Sequence, residues 1–327
     1  MKIIITGATG FIGRNIAEKL HDEGHQIITT GRSLKVGKEL EKQGIKFIKA
    51  DITNLEELKN KFSTSDCLIH CAARAGDGYS YKEYYMPNVI GTENVITACK
   101  FHNIKKIIFI SSPSIYYSGK DRYNVTEDEP IPKKQFHYGK TKLIAEKKFI
   151  ALQQQGFKVI ILRPRAVYGK YDNIFVPRIL KMSEKKKVPL INGGKGLIDI
   201  TYIENLVSAI KCCLTASQES WNEAYNISNG DPISVKDWFS QIMEIFDRPF
   251  NTENVSLPVA NTIAGIMEFV SILPFSNKKP LLTRFSVGYL GKSLTMSIEK
   301  AKQKLNYKPA ISNYDGFKKY REWYNSR

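Results

Sequence analysis

The sequence predicts an α/β protein in which a doubly wound parallel sheet is followed by a smaller, mostly helical C-terminal lobe. Short apolar runs alternate with helical patterns from residue 1 to about residue 165, at the spacing that strand–helix–strand units need. The strands carry apolar residues at consecutive positions, as Ile3–Ile5 do, which is typical of a parallel strand buried on both faces. We therefore predict one domain over residues 1–165 and a lobe over residues 166–327, with a segment at about 203–228 returning to the first domain.

Composition and charge exclude several classes of protein. The 327 residues are 42% hydrophobic, which is enough for a sizeable core. The five cysteines are odd in number and show no C-x-x-C spacing, so we predict no disulfide, no metal site and a reducing, cytoplasmic location. The net charge is +17, but the lysines are spread along the chain without interleaved aromatic residues, so no nucleic-acid partner is predicted.

The first strand ends in a glycine-rich turn that leads into a helix. Residues 6–13 read Thr-Gly-Ala-Thr-Gly-Phe-Ile-Gly. Gly7 allows a sharp turn, Gly10 allows backbone to approach a pyrophosphate, and Gly13 lets the helix lie close to the strand. Phosphates bind at a helix N-terminus, where free N–H groups and the dipole favour negative charge. We predict a dinucleotide site of the Rossmann type, although G-x-x-G-x-x-G differs from the usual G-x-G-x-x-G and the alternative is an ordinary turn.

The end of the second strand indicates which dinucleotide is bound. The strand covers residues 25–30 and runs into Gly31-Arg-Ser33, where an enzyme that uses NAD usually carries an acidic residue. The Arg32 guanidinium and the Ser33 hydroxyl can hold a 2′-phosphate, which an aspartate would repel. The sequence therefore favours NADP(H) over NAD(H), and the alternative is a surface arginine.

The later strands also end in small or polar residues. The third strand, at residues 45–49, leads to Asp51, which we place near the adenine amino group. The fourth, at residues 66–70, leads to Cys71-Ala-Ala73, whose small side chains permit close approach of a cofactor. The fifth delivers Ser111-Ser-Pro-Ser114. Ligands bind at the carboxyl edge of a parallel sheet, so these residues are candidates for the site.

A helix after the fifth strand carries Tyr138 and Lys142. Residues four apart project from the same face of a helix. A Tyr-x-x-x-Lys pair occurs by chance on many helices, but this one follows the fifth strand and its serines. It is followed by a sixth strand at residues 158–162 and by Arg163-Pro164. The pair is therefore a candidate for catalysis.

The second lobe is predicted from scattered helical signals. Helices are predicted over residues 173–186 and 203–215, from a cap at Ser234 to residue 246, and from a cap at Ser312. Residues 255–275 are unusually apolar, and we predict a core or lid helix there. The alternative is a helix that lies on a membrane surface beside Lys278 and Lys279, which gives a weak peripheral membrane contact.

On these motifs the chain resembles the extended short-chain dehydrogenase/reductase superfamily. The resemblance covers nearly the full length and rests on residues 6–13, Ser111-Ser112, Tyr138-x-x-x-Lys142 and Arg163-Pro164. Within the superfamily the chain looks most like the 3β-hydroxysteroid dehydrogenase-like branch, which includes bacterial reductases of 2-alkyl-3-keto acids. The motifs that carry this closer likeness are Tyr84-Tyr-Met-Pro-Asn-Val-Ile-Gly-Thr92, Ser111-Ser-Pro-Ser114, Asp199-Ile-Thr-Tyr-Ile-Glu-Asn205 and Tyr225-Asn-Ile-Ser-Asn-Gly230.

The resemblance implies hydride transfer between the nicotinamide and a carbonyl or secondary alcohol carbon of a hydrophobic substrate. Tyr138 is then the proton donor in reduction, and Lys142 lowers the pKa of its phenol and holds the nicotinamide ribose. Ser112 hydrogen-bonds the substrate oxygen, with Ser114 as a second candidate. The implied substrate is a 3-hydroxy or 3-keto acid or a sterol-like molecule, and a homodimer is implied by helices before strands five and six. The predicted cofactor contacts are Gly7, Thr9, Gly10, Phe11, Ile12, Gly13, Arg32, Ser33, Asp51, Ile52, Cys71, Ala72, Ala73, Asn88, Tyr138, Lys142, Pro164 and Val167.

Two other functions stay open at the level of sequence. Nucleotide-sugar epimerases and dehydratases of the same superfamily usually carry an arginine just before the segment matching Asp199-x-x-Tyr202. Leu197-Ile198 stands there in this chain, although Arg178 or Arg284 can supply the missing charge. The other alternative is a non-catalytic NADP-binding regulator, which the intact Ser112, Tyr138 and Lys142 set disfavours.

Overall fold

The computed structural model of the protein describes residues 1–184, 187–271 and 280–326. The strands are β1 (Lys2–Thr6), β2 (Gln26–Gly31), β3 (Lys46–Lys49), β4 (Cys67–His70), β5 (Lys106–Ile110), β6 (Arg122–Val125), β7 (Lys158–Pro164), β8 (Val167–Tyr168), β9 (Val188–Ile191), β10 (Leu197–Ile198), β11 (Thr201–Tyr202), β12 (Glu223–Ile227), β13 (Ile233–Ser234), β14 (Thr252–Val255) and β15 (Leu294–Met296). The α-helices are α1 (Phe11–Asp22), α2 (Leu34–Glu41), α3 (Leu55–Lys61), α4 (Tyr81–Tyr85), α5 (Gly91–Phe101), α6 (His137–Gln153), α7 (Phe175–Met182), α8 (Ile203–Leu214), α9 (Val235–Ile245), α10 (Leu257–Ser271), α11 (Arg284–Gly291), α12 (Glu299–Leu305) and α13 (Asn313–Asn325).

Seven parallel strands form the central sheet, in the order β12-β7-β5-β4-β1-β2-β3. The chain starts in the middle of this sheet, where Ile4 pairs with Ile28 on one side and Leu68 on the other. Both faces of β1 are covered, and Ile3–Ile5 are fully buried, as its unbroken apolar run predicts. The predicted doubly wound parallel sheet is confirmed. The seventh strand comes from beyond residue 165, since Ala224 of β12 pairs with Ile161 of β7.

Helices pack on both faces of the sheet and create two apolar cores. One core contains side chains of α1 and α8, including Ile16 and Leu206, and continues under the C-terminal lobe. The other contains side chains of α3, α5 and α6, including Leu58, Val95 and Phe149. The strands are therefore held rigidly, and the loops at their carboxyl ends are carried by a fixed scaffold.

The lobe that lies over the carboxyl edge of the sheet is built from separate parts of the chain. A four-stranded sheet has the order β13-β10-β15-β6, and β6 comes from the insertion before α6. Two strand pairs, β8 with β11 and β9 with β14, and the helices α7, α9, α10 and α11 complete the lobe. The lobe is thus not a contiguous C-terminal stretch, because β6 at Arg122–Val125 pairs with β15 at Leu294–Met296.

One predicted helix is shorter in the structure, and one helix begins with an irregular turn. The helix predicted over residues 173–186 is shorter, Phe175–Met182, and residues 185 and 186 lie outside the described part of the chain. Upstream of α5 the chain forms a π-helical turn, Met86–Ile90, that contains Pro87. Proline has no N–H to donate to the preceding turn, so the helical hydrogen bonds widen at this point.

The apolar segment at residues 255–275 forms a surface helix, α10, over its described part. Only Ala260 and Ala264 are buried on this helix, whereas Ile266 is 59% and Phe269 62% exposed. The core interpretation is therefore wrong for its large side chains. Residues 272–279, which include Lys278 and Lys279, lie outside the described residues. No helix in the described part of the chain is both long and apolar enough to cross a membrane.

Candidate active site

The turn after β1 has the shape that a pyrophosphate needs. Gly7 has a φ of +73°, in the left-handed region, and a Cβ there would lie 2.6 Å from Ala72 N. A Cβ on Gly13 would lie 2.5 Å from Gly7 O, so α1 packs directly on the turn. Gly10 is the N-cap of α1, so no capping side chain occupies the first N–H groups of the helix. The first N–H groups of α1 can therefore bind an anion, and these residues fit the diphosphate of a dinucleotide.

The other predicted contacts near this turn lie around its rim. Thr9 touches Gly31 at the end of β2, where an added Cβ would lie 2.4 Å from Thr9 Oγ1. Phe11 and Ile12 are partly buried and pack against the core at the start of α1. Ile52 is buried, and its side chain fills the space beside Gly91.

A chain of buried hydrogen bonds anchors the segment that carries Cys71, Ala72 and Ala73. Thr92 donates its hydroxyl to Asn88 O at 2.7 Å, so it accepts from His70 Nε2 at 3.2 Å. His70 Nδ1 lies 2.7 Å from Thr6 Oγ1, which in turn accepts from Ala72 N at 3.4 Å. Burial lowers the pKa of His70 to about 3, so the imidazole is neutral and can play both roles. Sequence reasoning did not identify His70 as a positioning residue.

Asn88, a predicted cofactor contact, makes three hydrogen bonds within the protein that position this segment. Its Oδ1 accepts from Arg74 N at 2.7 Å, and its Nδ2 donates to Arg74 O and to Thr141 Oγ1, both at 3.1 Å. Asn88 is 2% exposed, and these bonds occupy both ends of its amide. The side chain therefore joins the loop after β4 to α6, the helix that carries Tyr138 and Lys142.

The predicted NADP-selecting residues lie at the open rim of the cleft. Arg32 has 69% of its side chain exposed, and its guanidinium is 3.9 Å from Asp51 Oδ2. Ser33 is the N-cap of α2 and accepts a hydrogen bond from Val36 N at 3.4 Å. Asp51 also accepts from the backbone and hydroxyl of Thr53, at 2.9 and 2.8 Å. A guanidinium, a hydroxyl and the N-terminus of α2 are thus close together in space.

The candidate catalytic residues meet where β5 ends and α6 begins. Ser112 caps a 3₁₀ turn, Pro113–Tyr116, and its hydroxyl donates to Ser114 Oγ at 3.0 Å. Tyr138 lies in the first turn of α6, and its ring packs 5.7 Å from that of Tyr84, centroid to centroid. Lys142 is one turn later and 2% exposed, with Nζ 2.7 Å from Ile110 O. Pro164 and Val167 are buried at the end of β7 and in β8, on the neighbouring strand end.

The protonation of these groups is set mainly by burial. Burial raises the pKa of Tyr138 to about 12, and a hydrogen bond with Ser112 opposes this shift. Burial lowers the pKa of Lys142 to about 7, and the carboxylate of Glu146 acts in the opposite direction. When Lys142 is protonated, its ammonium group donates to the carbonyl oxygen of Ile110. The phenol is therefore protonated and ready to donate to a substrate oxygen at neutral pH.

A buried ion pair joins α6 to the end of β7. Arg163 donates to both oxygens of Glu146, at 3.0 and 2.7 Å, and the two side chains are 6% and 1% exposed. Ser111 also donates to Glu146, at 2.5 Å, which ties the end of β5 to α6. Sequence reasoning identified Arg163 and Ser111 as motif residues but missed Glu146, whose position four residues after Lys142 was the available signal.

A second arginine enters the cleft from the residue after β7. Arg165 is 2% exposed, and its Cζ lies 4.0 Å from the centre of the Tyr289 ring. Tyr289 and Phe285 of α11 form an aromatic wall with Tyr117 and Phe136. Ring centres in this wall are 5.2 Å apart for Tyr117 and Phe136 and 5.3 Å apart for Phe136 and Phe285. These rings are far apart in the sequence, so the sequence alone does not indicate that they pack together.

No group of acidic, histidine and cysteine side chains within the described residues has an arrangement that could hold a metal ion. The five cysteines are all free thiols. The site brings together a glycine turn that fits a diphosphate, a buried tyrosine and a buried lysine on α6, a serine hydroxyl, and a partly apolar wall beside the Arg165 guanidinium.

Comparisons with known proteins agree with this geometry. The family model described as "NAD dependent epimerase/dehydratase family" matches residues 3–228. The chain is 30% identical to the 2-alkyl-3-oxoalkanoate reductase of Stenotrophomonas maltophilia, over 98% of each chain. It is 25% identical to the human sterol-4-alpha-carboxylate 3-dehydrogenase, decarboxylating, over 96% of this chain and 86% of that protein.

Solved structures show the same fold. UDP-glucuronic acid 4-epimerase from Bacillus cereus, solved in complex with NAD, superimposes with a TM-score of 0.76 at 24% identity. The match covers 100% of this chain and 99% of that one. With the family model matched over most of the chain and the reductase similar along its whole length, the protein is an enzyme of the NAD dependent epimerase/dehydratase family, in the extended short-chain dehydrogenase/reductase superfamily.

Proposed function

We propose that the protein is an NADP(H)-dependent oxidoreductase that interconverts a ketone and a secondary alcohol in a hydrophobic 3-oxo or 3-hydroxy substrate. The observation that carries this proposal is the convergence of Ser112, Tyr138 and Lys142 at the carboxyl edge of the sheet, beneath an aromatic wall. The names of two relatives support it, since both describe enzymes that act at a carbon two bonds from a carboxylate. Both proteins are similar to this chain over nearly its full length.

Each residue of the site has its own role in the proposed reaction. The nicotinamide cofactor supplies or accepts the hydride. Tyr138 donates its proton to the oxygen of the ketone as the alcohol forms, and Ser112 donates a hydrogen bond to the same oxygen. Lys142 stabilises the phenolate left on Tyr138, because a positive charge nearby favours the ionised phenol. The ion pair of Glu146 with Arg163 holds α6 against β5 and so keeps the proton donor in place.

The proposal is tested by following NADPH oxidation with a panel of carbonyl compounds. We expect turnover with medium-chain 3-oxo acids or with 3-ketosteroids, and none with UDP-sugars. Epimerisation of a UDP-sugar without net consumption of cofactor would contradict the proposal.

A nucleotide-sugar epimerase or dehydratase is the second candidate, because the solved structures of the same fold include such enzymes. The observed arginines argue against it. Leu197-Ile198 replaces the arginine expected before Asp199, and Arg178 is exposed and donates to Leu281 O at 2.7 Å. Arg284 is 61% exposed and lies 3.7 Å from Glu268. Neither of these two arginines is held at the cleft by the contacts that it makes.

We propose that the enzyme prefers NADP(H), and Arg32→Ala tests this preference. The guanidinium is exposed, so screening by water reduces its contribution. We expect the substitution to weaken NADPH binding by about tenfold, or about 1.4 kcal/mol, and to leave NADH binding unchanged. Calorimetric titration of both cofactors measures the effect, with Arg32→Lys as the charge-preserving control. Equal affinities for NADPH and NADH in the unmodified protein would rule the preference out.

We further propose a weak contact between α10 and an anionic membrane surface. Five apolar side chains of α10 are exposed: Val259, Ile263, Ile266, Phe269 and Val270. The net charge of +17 complements an anionic lipid surface. We expect sedimentation with phosphatidylserine-containing vesicles at low salt, release as salt rises, and loss of binding in an Ile266→Ser/Phe269→Ser variant.

Vesicles of phosphatidylcholine alone are the control for charge. Absence of binding to anionic vesicles at low salt would exclude the contact, and self-association lost in the same variant would indicate a second copy of the chain as the occupant. The homodimer stays a separate prediction, for which Phe101 of α5 and Ile150 of α6 supply exposed apolar side chains.

A further inference from the structure

The side chain of Arg165 is buried without a hydrogen-bond or ion-pair partner in the described part of the chain. It is 2% exposed, and its Nε is a buried donor with no acceptor. Among the described residues, the guanidinium makes no side-chain hydrogen bond and no ion pair with a carboxylate. A guanidinium stays protonated at any physiological pH, and buried charges are normally paired. The site is therefore incomplete without an anion that the described residues do not supply.

The backbone holds Arg165 in a fixed position. Its N–H donates to Ile227 O at 3.1 Å, and its carbonyl accepts from Thr201 Oγ1 at 2.6 Å. The next residue, Ala166, has a φ of +42°, which turns the chain sharply at this point. The guanidinium then stacks on Tyr289, with Cζ 4.0 Å from the ring centre. The cation is thus placed before any ligand arrives.

The nearby carboxylate of Asp199 does not pair with this arginine. Its oxygens accept from Met296 N at 2.6 Å and from Ser228 Oγ at 3.2 Å. Burial raises the pKa of Asp199 to about 6, and Arg165 lowers it only through its electric field. The Asp199 carboxylate thus reduces the local charge imbalance while the hydrogen-bonding positions of the guanidinium remain available.

Arg165 belongs to the same cleft as the proton donor. It follows β7, which is paired with β5, and Ser111 N donates to Leu162 O at 2.7 Å across this pair. Ser112 and Arg165 therefore leave neighbouring strand ends. Tyr289 joins the two parts of the cleft, since its ring stacks on Arg165 and its hydroxyl lies close enough to raise the pKa of Tyr138.

The surroundings of Arg165 indicate an amphipathic anion. Tyr117, Phe136, Phe285 and Tyr289 supply aromatic surface beside the single guanidinium. A carboxylate suits the planar donor pattern of a guanidinium, and an alkyl chain suits the rings. In a 3-oxo acid one carbon separates the carboxyl group from the ketone. A carboxylate bound at Arg165 therefore keeps the ketone within the cleft that contains Ser112 and Tyr138.

We propose that Arg165 binds the carboxylate of the substrate and makes the enzyme selective for 3-oxo and 3-hydroxy acids over their neutral analogues. This assignment of substrate class rests on the proposed oxidoreductase function. It makes Arg165 a specificity-determining residue and distinguishes it from Arg163, whose guanidinium is engaged in the core by Glu146 and by the Tyr116 hydroxyl.

The first test compares 3-oxodecanoate with its methyl ester, which has the same ketone but no charge. We expect Arg165→Gln to lower kcat/KM for the acid by about 10²-fold and for the ester by less than about threefold. Arg165→Lys keeps the charge but loses the planar donor pattern, so its loss should be intermediate. Arg178→Gln is the matched control, an exposed arginine of α7, and should leave both values unchanged. An equal loss for acid and ester in Arg165→Gln would overturn the proposal, because it would indicate a structural role.

The second test does not depend on turnover. Decanoate and decanamide are titrated calorimetrically into the protein loaded with NADP⁺. We expect decanoate to bind at least tenfold more tightly, and Arg165→Gln to remove this difference. Equal binding of the two probes to the unmodified protein would overturn the proposal. This comparison needs no variant, so it holds even if Arg165→Gln does not fold. Selective binding of decanoate without NADPH oxidation for any ketone would support the carboxylate site and would instead contradict the proposed function.

Discussion

Replacing Tyr138 by phenylalanine is expected to lower kcat by about 10²–10⁴-fold while NADPH still binds. The substitution keeps the ring in its packing against Tyr84 and removes only the hydroxyl. The proton that neutralises the developing alkoxide then has no donor, because the Ser112 hydroxyl is a far weaker acid than a phenol supported by Lys142. Steady-state kinetics with the best substrate of the panel, together with calorimetric titration of NADPH, measure the two effects separately.

Tyr84→Phe is a matched control for this substitution. It also removes the hydroxyl of a buried tyrosine, one that donates to Gly76 O at 2.7 Å. A lost hydrogen bond of this kind costs about 1 kcal/mol of stability, so we expect only a few-fold change in kcat. Undiminished turnover in Tyr138→Phe would mean that another group is the acid, whichever substrate is reduced.

Replacing Lys142 by methionine is expected to reduce turnover and cofactor affinity together. Lys142 is buried beside the aromatic ring of Phe109, with Nζ 4.1 Å from its centre, so a methionine of similar length can fill the space. The substitution removes the charge that stabilises the Tyr138 phenolate and the donor that the family resemblance assigns to the nicotinamide ribose. We expect a loss of about 10²-fold or more in kcat/KM. Loss of turnover with unchanged NADPH affinity would remove the ribose contact from the assignment.

The same variant reveals the cost of burying the lysine charge. Because burial lowers the pKa of Lys142 to about 7, from an ordinary 10.5, the unfolded chain binds more protons than the folded protein between these values. The destabilisation is therefore complete below about pH 7 and is relieved as the pH rises towards 10.5. Between pH 7 and 9 the free energy of unfolding of the cofactor-free protein should rise by about 2 kcal/mol relative to Lys142→Met. Urea denaturation of both proteins measures this difference, and a difference that does not change with pH would show that Lys142 does not titrate in this range.

Local sequence patterns were sufficient to predict the central sheet. Unbroken apolar runs such as Ile3–Ile5 specify strands buried on both faces, and the lengths between them specify parallel crossovers. The glycines at 7, 10 and 13 specify the phosphate turn, and at Gly7 and Gly13 the backbone approaches so closely that no room is left for a Cβ. Patterns of this kind involve residues that are close in the sequence, so they predict structure without knowledge of the tertiary fold.

The supporting residues of the site could not be predicted in this way. His70, Glu146 and Asn88 act through bonds to residues that are distant in sequence, such as Thr6 and Arg163. A buried polar side chain is defined by its partners, and only the folded chain brings those partners within hydrogen-bond distance. The sequence showed which residues were polar but not which of them had a partner.

The sequence alone determined the sheet, the dinucleotide turn and the Ser112, Tyr138 and Lys142 set, because each depends on spacing along one or two adjacent elements. The tertiary structure decided that α10 lies on the surface and that β6 joins the lobe. It also decided that Arg163 is paired, whereas Arg165, two residues later, has no partner among the described residues. Both arginines are buried, so burial does not distinguish them, and only the groups packed around each one distinguish an internal ion pair from a charge held ready for a ligand.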